Sequence, residues 1–222
     1  MEHRWAALFD WDGVIVDSSR AHRISWEQLA LEEERVLPED HFERSFGMKN
    51  ARIIPELLEW SREPAEIKRL SNRKEALYRE IIREEGIEAL PGVGALLGSL
   101  RDAGVPCVVG SSTDRENIVT ILGMLGLRNA FDGMVTSEDV TLGKPHPEVF
   151  LKAAALAGVE PGRCVVFEDA PVGIQAARAA DMKVVALASS HPRERLEGAD
   201  RVVAHLGEVD LTMLLGLWPG EL

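Results

Sequence analysis

From Gly92 onward, short apolar runs alternate with amphipathic ones, and few folds accommodate that alternation. Runs at 105–110, 133–136, 163–167, 183–188 and 201–203 have the length and β-branched content of strands. Helical spacing occupies 93–103, 114–125, 147–157 and 172–180, and a last helix is expected near Leu211. Apolar strands separated by helices specify a parallel sheet covered on both faces. Ligands of such sheets bind outside the carboxyl ends of the strands, where the strand order reverses. The residues just after each strand are therefore the informative ones.

An earlier apolar run, 5–9, reads as a buried strand of the same sheet, and two carboxylates follow it with one residue between them, Asp10 and Asp12. Strand side chains alternate with period two, so both start on the same side of the chain. Two like charges held together resist joint ionisation unless a cation compensates. Mg²⁺ suits the purpose, because it takes a few carboxylates and leaves room for phosphate oxygens. Gly13 permits a sharp turn immediately afterwards.

The other strand ends answer in kind. Ser111-Ser112-Thr113 precede the helix at 114, where hydroxyls and free backbone N–H groups suit an anion. Gly143-Lys144-Pro145 holds one lysine between a glycine and a proline, and Glu168-Asp169 form a second acidic pair after the fourth strand. A nucleophile, a divalent-cation nest, hydroxyls and one fixed cation make a phosphoryl-transfer inventory, in which positioning and charge neutralisation do most of the work.

Between the first strand and Leu90-Pro91-Gly92 the chain reads as helix alone. Ser18 is a helix N-cap in sequence terms, ahead of a helix at 20–34; Pro38 opens a short helix, Gly47 breaks the pattern, 51–60 resumes it around Pro55, and 65–82 is a long helix. The charge runs Glu32-Glu33-Glu34 and Arg83-Glu84-Glu85 read as solvated faces. With 37 acidic against 25 basic residues and a net charge of −12, the chain lacks the clustered cations that nucleic acid or an anionic membrane requires. No apolar run approaches the roughly 18 residues of a membrane helix, and the start has no secretory h-region. Cys107 and Cys164 lie in strand-like runs and read as buried thiols, too few for a disulfide framework. The expectation is a cytoplasmic protein acting on a small molecule, as a monomer or weak homo-oligomer, with no nucleic-acid or membrane partner.

Phe9-Asp10-Trp11-Asp12-Gly13-Val14-Ile15-Val16-Asp17-Ser18 resembles the first motif of the haloacid dehalogenase (HAD) superfamily; Val108-Val109-Gly110-Ser111 is similar to its second, Gly143-Lys144-Pro145 to its third and Phe167-Glu168-Asp169 to its fourth. The resemblance runs in order over nearly the whole chain. It implies an α/β fold, with a Rossmann-like parallel sheet core at 1–17 and 88–222 and an all-helical cap inserted at 18–87. The insert resembles the small cap of the branch holding β-phosphoglucomutase and many sugar-phosphate phosphatases.

Carried over residue by residue, the resemblance implies Asp10 as the nucleophile that forms an aspartyl-phosphate. It makes Asp12 the general acid and then base, with its backbone carbonyl on Mg²⁺, and gives Ser111 a phosphate oxygen. Lys144 would neutralise charge, and Asp169 with Glu168 would bind Mg²⁺. Trp11 reads as a packing residue. In the cap, His22 and Lys74 resemble mutase positions, although His22 also reads as a partly buried helix histidine. The mutase carries Arg where this chain has Asn50, and Lys-Asn where it has Asp114-Arg115; Lys49, Arg52, Ser112 and Arg115 are the alternative contacts for a second phosphate or the substrate. A catalytically silent member would be expected to have lost one of Asp10, Asp12, Lys144 or Asp169, and all four are present. The expected activity is Mg²⁺-dependent hydrolysis of a small phosphorylated metabolite, with phosphosugar mutase chemistry as the alternative.

Overall fold

Six parallel strands form one sheet in the computed structural model, which describes residues 5–45 and 48–219. The break expected at Gly47 lies outside the described residues, as do Met1 to Arg4. The central strand is β1 (Ala6–Phe9); β2 (Cys107–Gly110) and then β3 (Gly133–Val135) lie to one side, and β4 (Cys164–Glu168), β5 (Lys183–Leu187) and β6 (Arg201–Val203) to the other. This order, 3-2-1-4-5-6, is Rossmann-like and reverses at β1. The end of β1 is therefore where a ligand crevice opens.

Strand alternation divides the core in two. Ala7 and Phe9 face a cluster shared with α5 (Val93–Asp102), α6 (Arg115–Met124) and α9 (Leu211–Leu215), while Ala6 and Leu8 face α7 (Glu148–Ala157) and α8 (Pro171–Ala179). Phe9 is fully buried, stacked on Phe167 with centroids 4.6 Å apart and edge-on to Phe131 at 5.7 Å. Trp11 is fully buried in the same cluster, in keeping with its packing role. Cys107 and Cys164 are buried free thiols, and burial pushes both up to about 12.

The helical stretch has a third core of its own, built on Trp26, Leu29, Ile54, Trp60, Leu70 and Leu77. Its elements are α1 (Ser19–Glu32), α2 (His41–Ser45), α3 (Asn50–Arg52) and α4 (Pro64–Glu85). Three local expectations change. The 51–60 helix becomes α3 followed by a π-helical turn, Ile53–Leu57, closed by the Leu58 N–H on the Ile53 carbonyl at 2.9 Å. Pro55 has no N–H to donate and its ring crowds the carbonyl four residues back, so the wider turn accommodates it. Second, Ser18 does not cap α1 with its side chain; Asp17 Oδ1 accepts the Ser19 N–H at 3.1 Å instead. Third, α1 stops at Glu32, and Glu32 and Glu33 are paired with Arg73 and Arg69 of α4 rather than simply solvated.

Chain entry to and exit from this helical stretch lie side by side. Val16 and Ala89 form an antiparallel bridge, and the Leu90 N–H donates to the Ile15 carbonyl at 2.8 Å. No helix among the described residues is long and apolar enough to cross a membrane. Because fully buried Phe9 joins Phe131 and Phe167 in one aromatic cluster, Phe9→Ala should lower the unfolding free energy by about 3–5 kcal/mol in urea titration. A loss below about 1 kcal/mol would mean that the stack relaxes without cost.

Candidate active site

Sheet register brings the first and fourth motifs together. The Asp10 N–H donates to the Phe167 carbonyl at 2.9 Å, extending the β1–β4 pairing one residue past β1 and placing Asp10 beside Glu168 and Asp169. Gly13 follows with φ +75°, and a Cβ there would run into the Asp169 carboxylate and the Ser190 hydroxyl. Only glycine permits so close an approach. From the loop before α7, Lys144 Nζ reaches Asp10 Oδ1 at 2.7 Å and Glu168 Oε1 at 2.6 Å, with the Phe150 ring beneath it at 4.9 Å. The second oxygen of Glu168 accepts the N–H groups of Asp169 and Ala170, both at 2.8 Å, just before α8 begins.

Asp10, Glu168 and Asp169 are all buried, with one oxygen of each within 4.8 Å of the others. Lys144 is the ammonium paired with two of these three carboxylates. Burial disfavours that ammonium, yet Asp10 and Glu168 outweigh burial and raise its pKa. One ammonium does not compensate three buried carboxylates, and the imbalance raises the pKa of Asp10 and of Asp169. Burial, less the effect of Lys144, pushes Asp10 up to about 7, and burial together with Glu168 and Asp10 pushes Asp169 up to about 9. Asp169 Oδ2 is buried with no hydrogen-bond partner among the described residues. Clustered carboxylate oxygens, one of them unpartnered, fit a hard divalent cation such as Mg²⁺.

The Asp12 carboxylate is not in that cluster. Its two oxygens accept the hydroxyls of Ser18 and Thr113, and His22 Nε2 stands 3.9 Å away. That explains why Ser18 leaves the helix end to Asp17. Ser111 is buried, and its Oγ accepts the Thr113 N–H at 3.1 Å. Above these residues lies a cavity of about 480 Å³, bounded by the strand ends below and the helical stretch on the other side.

A family model described as haloacid dehalogenase-like hydrolase matches residues 6–181. This chain belongs to the haloacid dehalogenase-like hydrolase family. A chloroplastic 5-amino-6-(5-phospho-D-ribitylamino)uracil phosphatase of Arabidopsis thaliana is 37% identical over 208 residues, 92% of this chain but 55% of the relative. The chain thus spans little more than half the length of that protein. A β-phosphoglucomutase of Bacillus subtilis is 32% identical over 219 residues, 96% of this chain and 95% of the relative. The crystal structure of β-phosphoglucomutase from Clostridium difficile superposes with a TM-score of 0.84 at 27% identity, covering 95% of both chains.

In this HAD-like hydrolase the cavity collects Asp10, Asp12, Ser111, Ser112, Lys144, Glu168 and Asp169 from the sheet, and His22, Lys49 and Lys74 from the helical side. Arg52 stands outside it, exposed and paired with Glu56 at 2.8 Å, and Arg115 likewise, paired with Asp139 at 2.5 Å. The Arg115 N–H, expected to be free for an anion, is taken by the Glu138 carboxylate at 3.1 Å. Lys49 donates to the carbonyls of Ser137 and Val140, both at 3.0 Å, and so ties the helical stretch to the sheet side. His22 stacks on Tyr78 at 4.3 Å, and its Nδ1 accepts from Lys74 Nζ at 2.7 Å; burial and Lys74 hold it down to about 4, a neutral imidazole at physiological pH.

Sequence reasoning missed several members. In sequence Thr113 reads as one of three hydroxyls suited to an anion and Ser18 as a helix cap, whereas both anchor Asp12. Glu75 and Asn117, which line the cavity and meet each other at 2.5 Å, carried no motif. Gly173 was unremarked too, although a Cβ there would overlap the Glu168 carboxylate. Gly→Ala inside a helix ordinarily gains up to about 1 kcal/mol. Here Gly173→Ala should instead lower the melting temperature and displace Glu168 from Lys144, with kcat on p-nitrophenyl phosphate falling at least about tenfold. Unchanged melting and turnover would show that Glu168 has room to move.

Proposed function

We propose that this enzyme hydrolyses phosphate monoesters of small metabolites, sugar phosphates among them, through a phosphorylated Asp10. The observation that carries the proposal is Lys144 held between Asp10 and Glu168, with the unpartnered Asp169 oxygen beside them, at the sheet's switch point and facing the cavity. Asp10 Oδ1 is fixed by Lys144, so the carboxylate is oriented for in-line attack on phosphorus. Ser111 and the neighbouring N–H groups receive phosphate oxygens, and Lys144 neutralises the charge that spreads over them. Asp12, held by two hydroxyls next to a neutral His22, gives a proton to the leaving alcohol and then takes one from the water that splits the aspartyl-phosphate. Asp10 and Asp169, with the Asp12 backbone carbonyl and Glu168 nearby, would hold Mg²⁺, which would supply further charge neutralisation.

Residues 18–87 act in this reading as a cap hinged at the paired crossings near Val16 and Ala89, closing over the substrate and excluding bulk water. The enzyme works in the cytoplasm as a monomer or weak homo-oligomer. The mutase alternative rests on the Bacillus subtilis relative, which matches nearly end to end. A mutase must bind a bisphosphate in two orientations and needs a distal anion site. Lys49 is committed to two carbonyls, and Arg52 and Arg115 to carboxylates outside the cavity, which favours water as the acceptor.

A panel of phosphorylated sugars and metabolites assayed with Mg²⁺ should release phosphate, and EDTA should abolish release. Asp10→Asn should eliminate turnover with the fold retained, and Asp12→Asn should cost about 10² to 10⁴ in kcat. More than a few per cent residual activity in Asp10→Asn would refute the covalent route. Given β-glucose 1-phosphate with a trace of the 1,6-bisphosphate, the enzyme should yield free phosphate rather than glucose 6-phosphate; the reverse would establish the mutase.

A further inference from the structure

The helical side of the cavity carries a buried carboxylate that phosphoryl transfer does not use. Glu75 of α4 is 7% exposed, and its oxygens take donors from three elements. Oε1 accepts from Lys74 Nζ at 2.9 Å and from Asn50 Nδ2 of α3 at 2.7 Å; Oε2 accepts from Asn117 Nδ2 of α6 at 2.5 Å. Burial opposes ionisation of Glu75, but Lys74 and His22 with the donated hydrogen bonds outweigh it and hold the carboxyl down to about 2. The carboxylate is therefore a permanent charge, and it matches that of Lys74 one for one.

Among the described residues of the helical stretch, Lys49 is the other cation that lines the cavity. Lys49 is committed to the Ser137 and Val140 carbonyls, while Asp114 and Glu138 add two more carboxylates to the lining. Around Glu75, the ammonium groups of Lys49 and Lys74 thus meet three carboxylates, Asp114 and Glu138 coming from the facing sheet side. A phosphate dianion needs a fixed, uncommitted cation. Carboxylates and amides instead suit hydroxyl groups, which donate to them.

We propose that Glu75 makes the enzyme selective for monophosphates with an uncharged, hydroxyl-rich alcohol part, by refusing a second anionic group on the helical side of the cavity. The proposal rests on the phosphatase reading of Asp10, and it assigns specificity to a residue outside the four motifs. The position equivalent to the mutase arginine, Asn50, is here a donor to Glu75 and to Ser71 Oγ. Arg195, exposed on the loop after β5, also borders the cavity and is the place to look for a second phosphate should one bind.

Titration calorimetry in Mg²⁺ tests this on Asp10→Asn, which binds without turning over. The probes are glucose 6-phosphate against glucose 1,6-bisphosphate, and fructose 1-phosphate against fructose 1,6-bisphosphate. Each bisphosphate should bind about tenfold more weakly than its monophosphate, and Glu75→Gln in the same background should shrink that ratio at least about threefold. The comparison in Asp10→Asn alone stands even if Glu75→Gln unfolds. Bisphosphates that bind as tightly as monophosphates, or a ratio that a folded Glu75→Gln leaves unchanged, would overturn the proposal; loss of tight bisphosphate binding in Arg195→Ala would then place the second phosphate there. Absence of turnover on p-nitrophenyl phosphate by the unaltered enzyme, together with no binding of any probe, would refute the Asp10 reading itself.

Discussion

One ammonium between two carboxylates organises this molecule. Lys144 meets Asp10 at 2.7 Å and Glu168 at 2.6 Å at the floor of the cavity, with all three side chains largely withdrawn from water. Burying three carboxylates together would be prohibitive without compensation, and removing one partner from a buried pair typically costs about 3–5 kcal/mol. The fold spends much of its detail on keeping the arrangement. Sheet order puts β1 against β4, Gly13 lets the first loop approach Asp169, and Gly173 leaves room for Glu168 at the start of α8. The residual negative charge, seen in the raised pKa values of Asp10 and Asp169, is what a divalent cation would cancel.

The sheet, its parallel order and the strand-end residues were legible because each rests on local pattern. Apolar runs of four or five residues between helices leave few alternatives, and Asp10, Asp12, Lys144 and Asp169 sit where such a sheet opens. What was not legible is how donors are allotted among acceptors. Ser18 reads as the cap of α1 in sequence terms, and the nearness of Asp12 turns it inward and leaves the Ser19 N–H to Asp17. Glu168 reads as a cation ligand in sequence, yet its four-fold use by Lys144, two N–H groups and the cluster depends on distances between separate loops.

The helical stretch was harder still, because its functional residues look like ordinary surface charge. Glu75 next to Lys74 reads as two adjacent charges of a helix; its burial against Asn50 and Asn117 arises only when α4 packs over α6. Lys49, Arg52 and Arg115 were equivalent cations by composition. The fold separates them, giving the first to backbone carbonyls and the others to exposed acids. Pro55 likewise reads as part of one helix over 51–60, and lies instead in a π-helical turn because the chain continues into the helical core through Ile53 and Ile54.

A covalent route through Asp10 is the claim on which the mechanism stands, and rapid-quench mass spectrometry addresses it directly. After mixing with a turned-over monoester and Mg²⁺ and quenching in acid, the peptide carrying Asp10 should gain one phosphoryl group, and no peptide of Asp10→Asn should gain it. Phosphate release at full rate with no phosphorylated peptide, or a phosphoryl group on another residue, would contradict the account.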